Sequence, residues 1–159
     1  MIYQLKNNDP LLKYLDRKEE AKLENIQIIE SYKDNDIIIT LGDRNRDILI
    51  IYKGNTSILI LNEAGEELKI AELPAGEIIG EQNFVIPVRR TANVRAVDDV
   101  MVCRYPYNRL IDLLRKEPMI AAKIFAAIND VMASRITKTI EMYLNKRSEK
   151  NKKLMPETK

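Results

Sequence analysis

The 159-residue chain contains no histidine. His-based acid–base chemistry, Ser-His nucleophile pairs and His-ligated metals are therefore excluded, and most common enzyme designs go with them. A single cysteine, Cys103, rules out an internal disulfide and a cysteine-based zinc site. It lies in "VMVCRY", where a small core residue of a strand is expected. Nowhere do 18 apolar residues run together, and the start, "MIYQLKNNDPLLKYL", has neither an apolar run of signal-peptide length nor a small-residue cleavage site. A cytoplasmic protein without a membrane span is expected. Nothing resembles a nucleophile with its base or a metal cluster, so neither an enzyme nor a cofactor is expected.

What is present suits one globular domain. Hydrophobic residues make up 45% and charged residues 31% of the chain, enough to bury a core, and disorder is expected only at the ends. The net charge of +2 hides an asymmetry, because "NKRSEKNKKLMPETK" (residues 145–159) carries six Lys/Arg against two Glu and the remainder is negative overall. A basic tail can meet nucleic acid or an acidic membrane. A solvated terminus is the simpler expectation.

Asp9-Pro10 reads as an N-cap followed by proline at the first helical position. Leu11, Leu12, Leu15, Leu23 and Ile26 then suit one or two short amphipathic helices. From Ile37 the texture turns to the β-branched runs "DIIITL", "DILIIY", "TSILIL" and "LKIAEL". All five glycines fall between residues 42 and 80, and Gly42, Gly54, Gly65 and Gly76 recur at intervals of 11 to 12 among turn residues, with Asn35 able to act alike. Strand-like runs between evenly spaced turns predict a compact all-β barrel or sandwich.

A further strand pair, "VRAV" and "VMVCRY", precedes a helix that Pro106 opens and Pro118 ends. From Met119 to about Arg147 there is no Gly or Pro, and Ile120, Ile124, Ile128, Met132, Ile136, Ile140 and Leu144 recur every four residues. A helix of that length is a rod of roughly 40 Å, more than a small barrel can cover. An identical helix is the simplest partner for the rest of its stripe, which predicts a parallel homodimer through residues 119–145.

The stretch "GEIIGEQNFVIPVRRTANVRA" breaks a strand-like run with Gly80-Glu81 and then with Arg89-Arg90-Thr91-Ala92. An arginine fork matches phosphate oxygens, and an ionised glutamate accepts from a hydroxyl such as a ribose 2′-OH. Gly80 lets backbone approach a ligand, "EQNF" can turn helically with free N–H groups, and Thr91 and Ala92 leave room while adding a hydroxyl donor. The set suits one phosphate, one ribose and a flat group.

Here the chain resembles the cyclic-nucleotide-binding domain of catabolite-activator-type regulators, kinase regulatory subunits and gated channels. "IGEQN" and "RRTANVRA" stand where that family has its phosphate-binding cassette, and "YKDNDIIITLGD", "LIIYKGNTSILI", "AGEELKIAEL" and "PAGEIIGE" follow in family order over residues 9–145. The resemblance implies a mainly β fold with flanking helices, a double-stranded β-helix (a jelly-roll-like β-roll) with short N-terminal helices and a long C-terminal helix. The implied domain is 1–145, including the helix 119–145, with 146–159 a basic polar tail.

The resemblance also implies roles. Arg90 would pair with the cyclic phosphate, Glu81 would accept from the ribose, and Gly80, Thr91, Ala92 and the N–H groups near Gln82 and Asn83 would complete the cradle. Ile58, Ile70, Leu73 and Ile79 would line its apolar side, and Arg135 would cap or bond the base; the residues alone also allow Arg135 to pair with Asp130 or Glu141 across the dimer. Removing Arg90 would abolish binding and leave the fold intact. Gln82 and Asn83 stand where the family usually has an aliphatic and a small residue. The chain stops about where catabolite-activator-type proteins begin a helix-turn-helix domain, while Met1 and the polar end point to a complete chain. The expected ligand is cAMP or cGMP, and the expected partners are a second copy and an effector protein; DNA is not expected. A ligand-independent interaction module of the same fold and a nucleic-acid regulator using the basic tail are the alternatives.

Overall fold

The computed structural model describes residues 9–154, with side chains as far as residue 147. It opens on a 3-10 turn, Pro10–Leu12, whose N-cap Asp9 accepts from the Leu11 amide at 2.9 Å. Leu11 and Leu12 are buried. Helix α1 (Arg17–Glu24) begins with a capping box in which Asp16 accepts from the Lys18 and Glu19 amides and Glu19 accepts from the Asp16 amide. Glu19 also accepts from Lys123 Nζ at 2.6 Å, tying α1 to the last helix.

Eight strands follow: β1 (Ile28–Tyr32), β2 (Ile37–Ile39), β3 (Ile48–Lys53), β4 (Asn55–Leu61), β5 (Glu67–Pro74), β6 (Ile78–Ile79), β7 (Asn93–Ala96) and β8 (Val100–Tyr105). They form two four-stranded sheets, ordered β1-β8-β3-β6 and β2-β7-β4-β5, with every pairing antiparallel. This is the double-stranded β-helix that the resemblance implies. The turns carry positive φ at the five glycines and at Asn35. Strand β1 was not anticipated: "IIESY" contains Glu30, which pairs with Arg104 of β8 at 2.7 Å, a partner 74 positions away.

Strand β3 shows why the first sheet is central. Its residues alternate between two cores, as a period of two requires. Leu49 and Ile51 point into the roll with Ile79, Val94, Val100 and Val102. Ile48, Ile50 and Tyr52 point the other way, against Leu11, Leu23, Leu110, Ile120 and Ile124 from the helices. Each aliphatic side chain so buried stabilises the fold by about 1.5–3 kcal/mol, and a strand buried on both faces reads as a continuous apolar run, "ILIIY".

Between β6 and β7 lies a short helix, α2 (Glu81–Val85); after β8 come α3 (Tyr107–Lys116) and α4 (Pro118–Leu154). Asp47 Oδ1 accepts from the Tyr107 amide at 2.8 Å and so satisfies the start of α3 from the β2–β3 loop. Helix α4 extends beyond the anticipated 119–145. Residues 146–154 lack Gly and Pro and carry five Lys/Arg and a Glu, good helix formers, so polarity alone does not end the helix. The last five residues of the expected tail lie outside the described residues. The isoleucine stripe divides in two: Ile120, Ile124 and Ile128 are buried, whereas Ile136, Ile140, Met142, Tyr143 and Leu144 are exposed. Among the described residues no helix is long and apolar enough to cross a membrane.

Candidate ligand site

Gly80 closes β6 in the left-handed region, φ +86°, and turns the chain straight into α2. The loop after α2 brings Arg90 back beneath that turn. Its backbone is pinned to the β2–β3 loop, the Arg90 amide donating to Asp43 O and its carbonyl accepting from the Gly42 amide, both at 2.8 Å. The guanidinium then runs inward and is only 4% exposed. Nη1 donates to Gly80 O at 3.3 Å and to Asn83 Oδ1 at 3.2 Å, while Nη2 donates to Asn45 Oδ1 at 3.2 Å and to Asp47 O at 2.7 Å. Burial draws its pKa below the usual arginine range, and the Asp47 and Asp43 carboxylates partly offset this.

Glu81, the first residue of α2, is 8% exposed. A buried carboxylate needs a counter-charge or several donors. Arg135 of α4 supplies it: Nη1 donates to Glu81 Oε1, and Nη2 donates to Ile78 O and, at 3.2 Å, to Glu77 Oε2. Asp130, on the same helix, accepts from Lys13 and Tyr14 within the chain.

Arg46 and two phenylalanines fix α2 itself. Arg46 Nε donates to Asn83 O at 2.9 Å, and its Nη2 to Phe84 O at 2.8 Å, capping the carbonyls of the short helix, while its guanidinium lies 4.1 Å from the Tyr107 ring centroid. Phe84 meets Tyr107 edge-on at 5.7 Å and Phe125 at 6.0 Å, so α2 packs on both α3 and α4.

The resulting cleft holds about 130 Å³ and brings together Ile79, Gly80, Glu81, Gln82, Asn83, Arg90, Thr91, Ala92 and Arg135, with Ile39 and Val94 completing the wall. Three expected lining residues are elsewhere. Ile58 and Leu73 pack against the core between the sheets. Ile70 is 54% exposed because β5 is an edge strand, and with Leu73 it walls a larger groove, about 870 Å³, between β5 and α4. Arg135 borders both spaces. Asn45 and Asp47, which hold Arg90, carried no sequence signal beyond their place in a polar loop. Cys103 is buried, as expected, and its thiol donates to Gln27 Oε1 at 3.2 Å. Among the described residues no cluster of His, Cys, Asp and Glu is placed to hold a metal.

A β-roll that carries a glycine-carboxylate turn and a returning arginine in one cleft is the architecture of a ligand-sensing domain. The family profile of the cyclic nucleotide-binding domain matches residues 29–117, and the chain belongs to that family. It is 30% identical over 114 residues to the cAMP-activated global transcriptional regulator CRP of Escherichia coli O6:H1, covering 71% of this chain and 52% of that protein. It is 31% identical over 87 residues to the cAMP-dependent protein kinase regulatory subunit of Blastocladiella emersonii, 55% of this chain and 22% of that one. Among solved structures, a cyclic nucleotide-binding domain from Methylobacillus flagellatus shares the fold with a TM-score of 0.80 at 20% identity, covering 90% and 80% of the two chains. The chain spans about half the length of the transcriptional regulator it matches.

Proposed function

We propose that the protein is a cytoplasmic, non-catalytic sensor of a cyclic nucleotide, cAMP or cGMP, and that it works as a homodimer through α4. The observation that carries this reading is the meeting of Arg90 and Glu81 in one cleft beside Gly80 and Thr91. Arg90 receives the cyclic phosphate, with the Thr91 hydroxyl and the first-turn N–H groups of Gln82 and Asn83. Glu81 accepts from the ribose 2′-OH. In this reading the phosphate and sugar enter the cleft, and the base extends past Arg135 towards the wider groove, where Ile70 and Leu73 offer apolar contact. The exposed half of the α4 stripe supplies the dimer seam, and an effector reads the position of that helix.

A second reading, a ligand-independent interaction module, is favoured by one feature: the protein's own acceptors already take four hydrogen bonds from Arg90. Isothermal titration with cAMP, cGMP and 2′-deoxy-cAMP separates the two. The sensor reading expects saturable binding of at least one cyclic nucleotide and weaker binding of the 2′-deoxy analogue. Absence of binding by both cAMP and cGMP at millimolar concentration would leave the module.

A further inference from the structure

We propose that Arg135 is an internal competitor of the ligand, a side chain of the long helix that occupies the ribose-binding carboxylate until a nucleotide displaces it. The proposal builds on the sensor reading and reverses the role expected for Arg135, from a contact that holds the base to one that must let go.

The acceptors of Arg135 carry the argument. Its guanidinium bonds to Glu77, Ile78 and Glu81, three positions within five residues, all on the segment that leads into the cleft. Without Arg135 the Glu81 carboxylate would be buried without a counter-charge, which is costly. With Arg135 in place the Glu81 carboxylate already has a counter-charge, held at its Oε1. A ribose hydroxyl that takes over the Arg135-bound oxygen replaces a cationic donor, and the ion pair it forms, with a neutral one. At this atom the ligand and the helix are rivals.

Past Asp130, among the described residues, the side-chain bonds that join α4 to the rest of the chain are those of Arg135. Whatever displaces Arg135 from Glu81 therefore loosens the helix just before its exposed stripe, at Ile136 and Ile140. By linkage the coupling is reciprocal: holding the helix down weakens the ligand by the factor with which the ligand frees the helix.

The two roles of Arg135 predict opposite signs, which makes the test direct. Isothermal titration of cAMP and 2′-deoxy-cAMP into wild type, Arg135→Ala and Arg135→Gln is the experiment, with circular dichroism confirming that each variant is folded. An internal competitor predicts that both variants bind cAMP roughly tenfold tighter or more, with a gain of at most roughly threefold for the 2′-deoxy ligand, which has no hydroxyl to compete for Glu81. Amide exchange without ligand should also quicken over residues 132–140 in both variants. If wild type binds and the variants bind equally or more weakly, Arg135 is no competitor, yet the sensor reading stands. If only the variants bind, the competitor stands and the natural chain is no sensor at ordinary ligand levels. If none binds, both readings fall.

Discussion

A Cβ on Gly80 would stand 2.3 Å from Nη1 of Arg90 and 2.7 Å from the carbonyl of Asp47, so residue 80 has no side chain because residue 90 fills that space. Turn and arginine form one unit. Gly80→Ala combines a clash with a left-handed backbone, φ +86°, which costs an ordinary residue roughly 1–2 kcal/mol. Urea denaturation should show a loss of at least that size, and a nucleotide affinity that falls with it. A variant whose stability matches wild type would mean that neither the guanidinium nor the left-handed turn is fixed at residue 80.

Arg90→Leu, expected from sequence to spare the fold, should instead weaken it. The guanidinium satisfies carbonyls of Gly80 and Asp47 and side-chain oxygens of Asn45 and Asn83, and Asn83 and Arg90 are both buried. Leucine removes the Arg90 donor from the buried Asn83 Oδ1 and from the Asp47 carbonyl, whereas Gly80 O keeps the Phe84 amide and Asn45 Oδ1 the Asp47 amide, a loss on the order of 2–4 kcal/mol. Chemical denaturation of the variant measures it. Full stability together with lost binding would restore the simpler picture of an arginine present for the ligand alone.

The contrast between these residues shows what a linear reading can reach. Gly80, Glu81 and Arg90 were legible because glycine at a turn, a carboxylate beside it and an arginine ten residues on are local features. Asn45 and Asp47 were not, since they act on a residue more than forty positions away from an irregular loop. Asn83 read as a departure from the family pattern, but its amide bridges α2 to the returning loop, donating to Val88 O at 2.8 Å and accepting from Arg90. Alternation and glycine spacing located β2 to β5, β7 and β8. Strand β1 escaped because it buries no residue that a periodic pattern would mark, and the Glu30–Arg104 contact that ties it to β8 spans 74 positions. Ile70 came to the pocket from the resemblance, and the structure places it on an edge strand, half in water, on the wall of the groove that Arg135 also borders.

The proposed dimer is tested through the split stripe of α4. Ile128 is 2% exposed and belongs to the domain's own core, so a charge there would unfold the protein and say nothing about assembly. Ile136 and Ile140, at 60% and 53%, are the informative positions. Wild type should sediment as a dimer at tens of micromolar, and Ile136→Glu/Ile140→Glu as a folded monomer, because two carboxylates in an apolar seam cost far more than in water. A monomeric wild type would remove the second copy from the mechanism.

The last prediction concerns pH. Asp9 is 5% exposed and accepts from the Leu11 amide at 2.9 Å, Tyr105 Oη at 2.9 Å and Tyr52 Oη at 3.1 Å, so one carboxylate ties the N-terminal turn to β3 and β8. Burial raises its pKa from 3.8 to about 6, against the lowering effect of those three donors. The native state therefore holds this proton more tightly than the unfolded chain does. Its contribution is fully present below pH 3.8 and is lost as pH rises through about 6, with no further change above that. The difference between the two pKa values corresponds to at most about 3 kcal/mol. Asp9→Asn keeps an acceptor for Leu11 and has no proton to lose, and both tyrosine hydroxyls can rotate to accept from its amide. Unfolding free energies measured for both proteins across this window should diverge, wild type losing stability relative to the variant as pH rises and running parallel to it above neutrality. Curves parallel throughout would mean that Asp9 titrates alike in the folded and unfolded chains, and that its three donors compensate its burial completely.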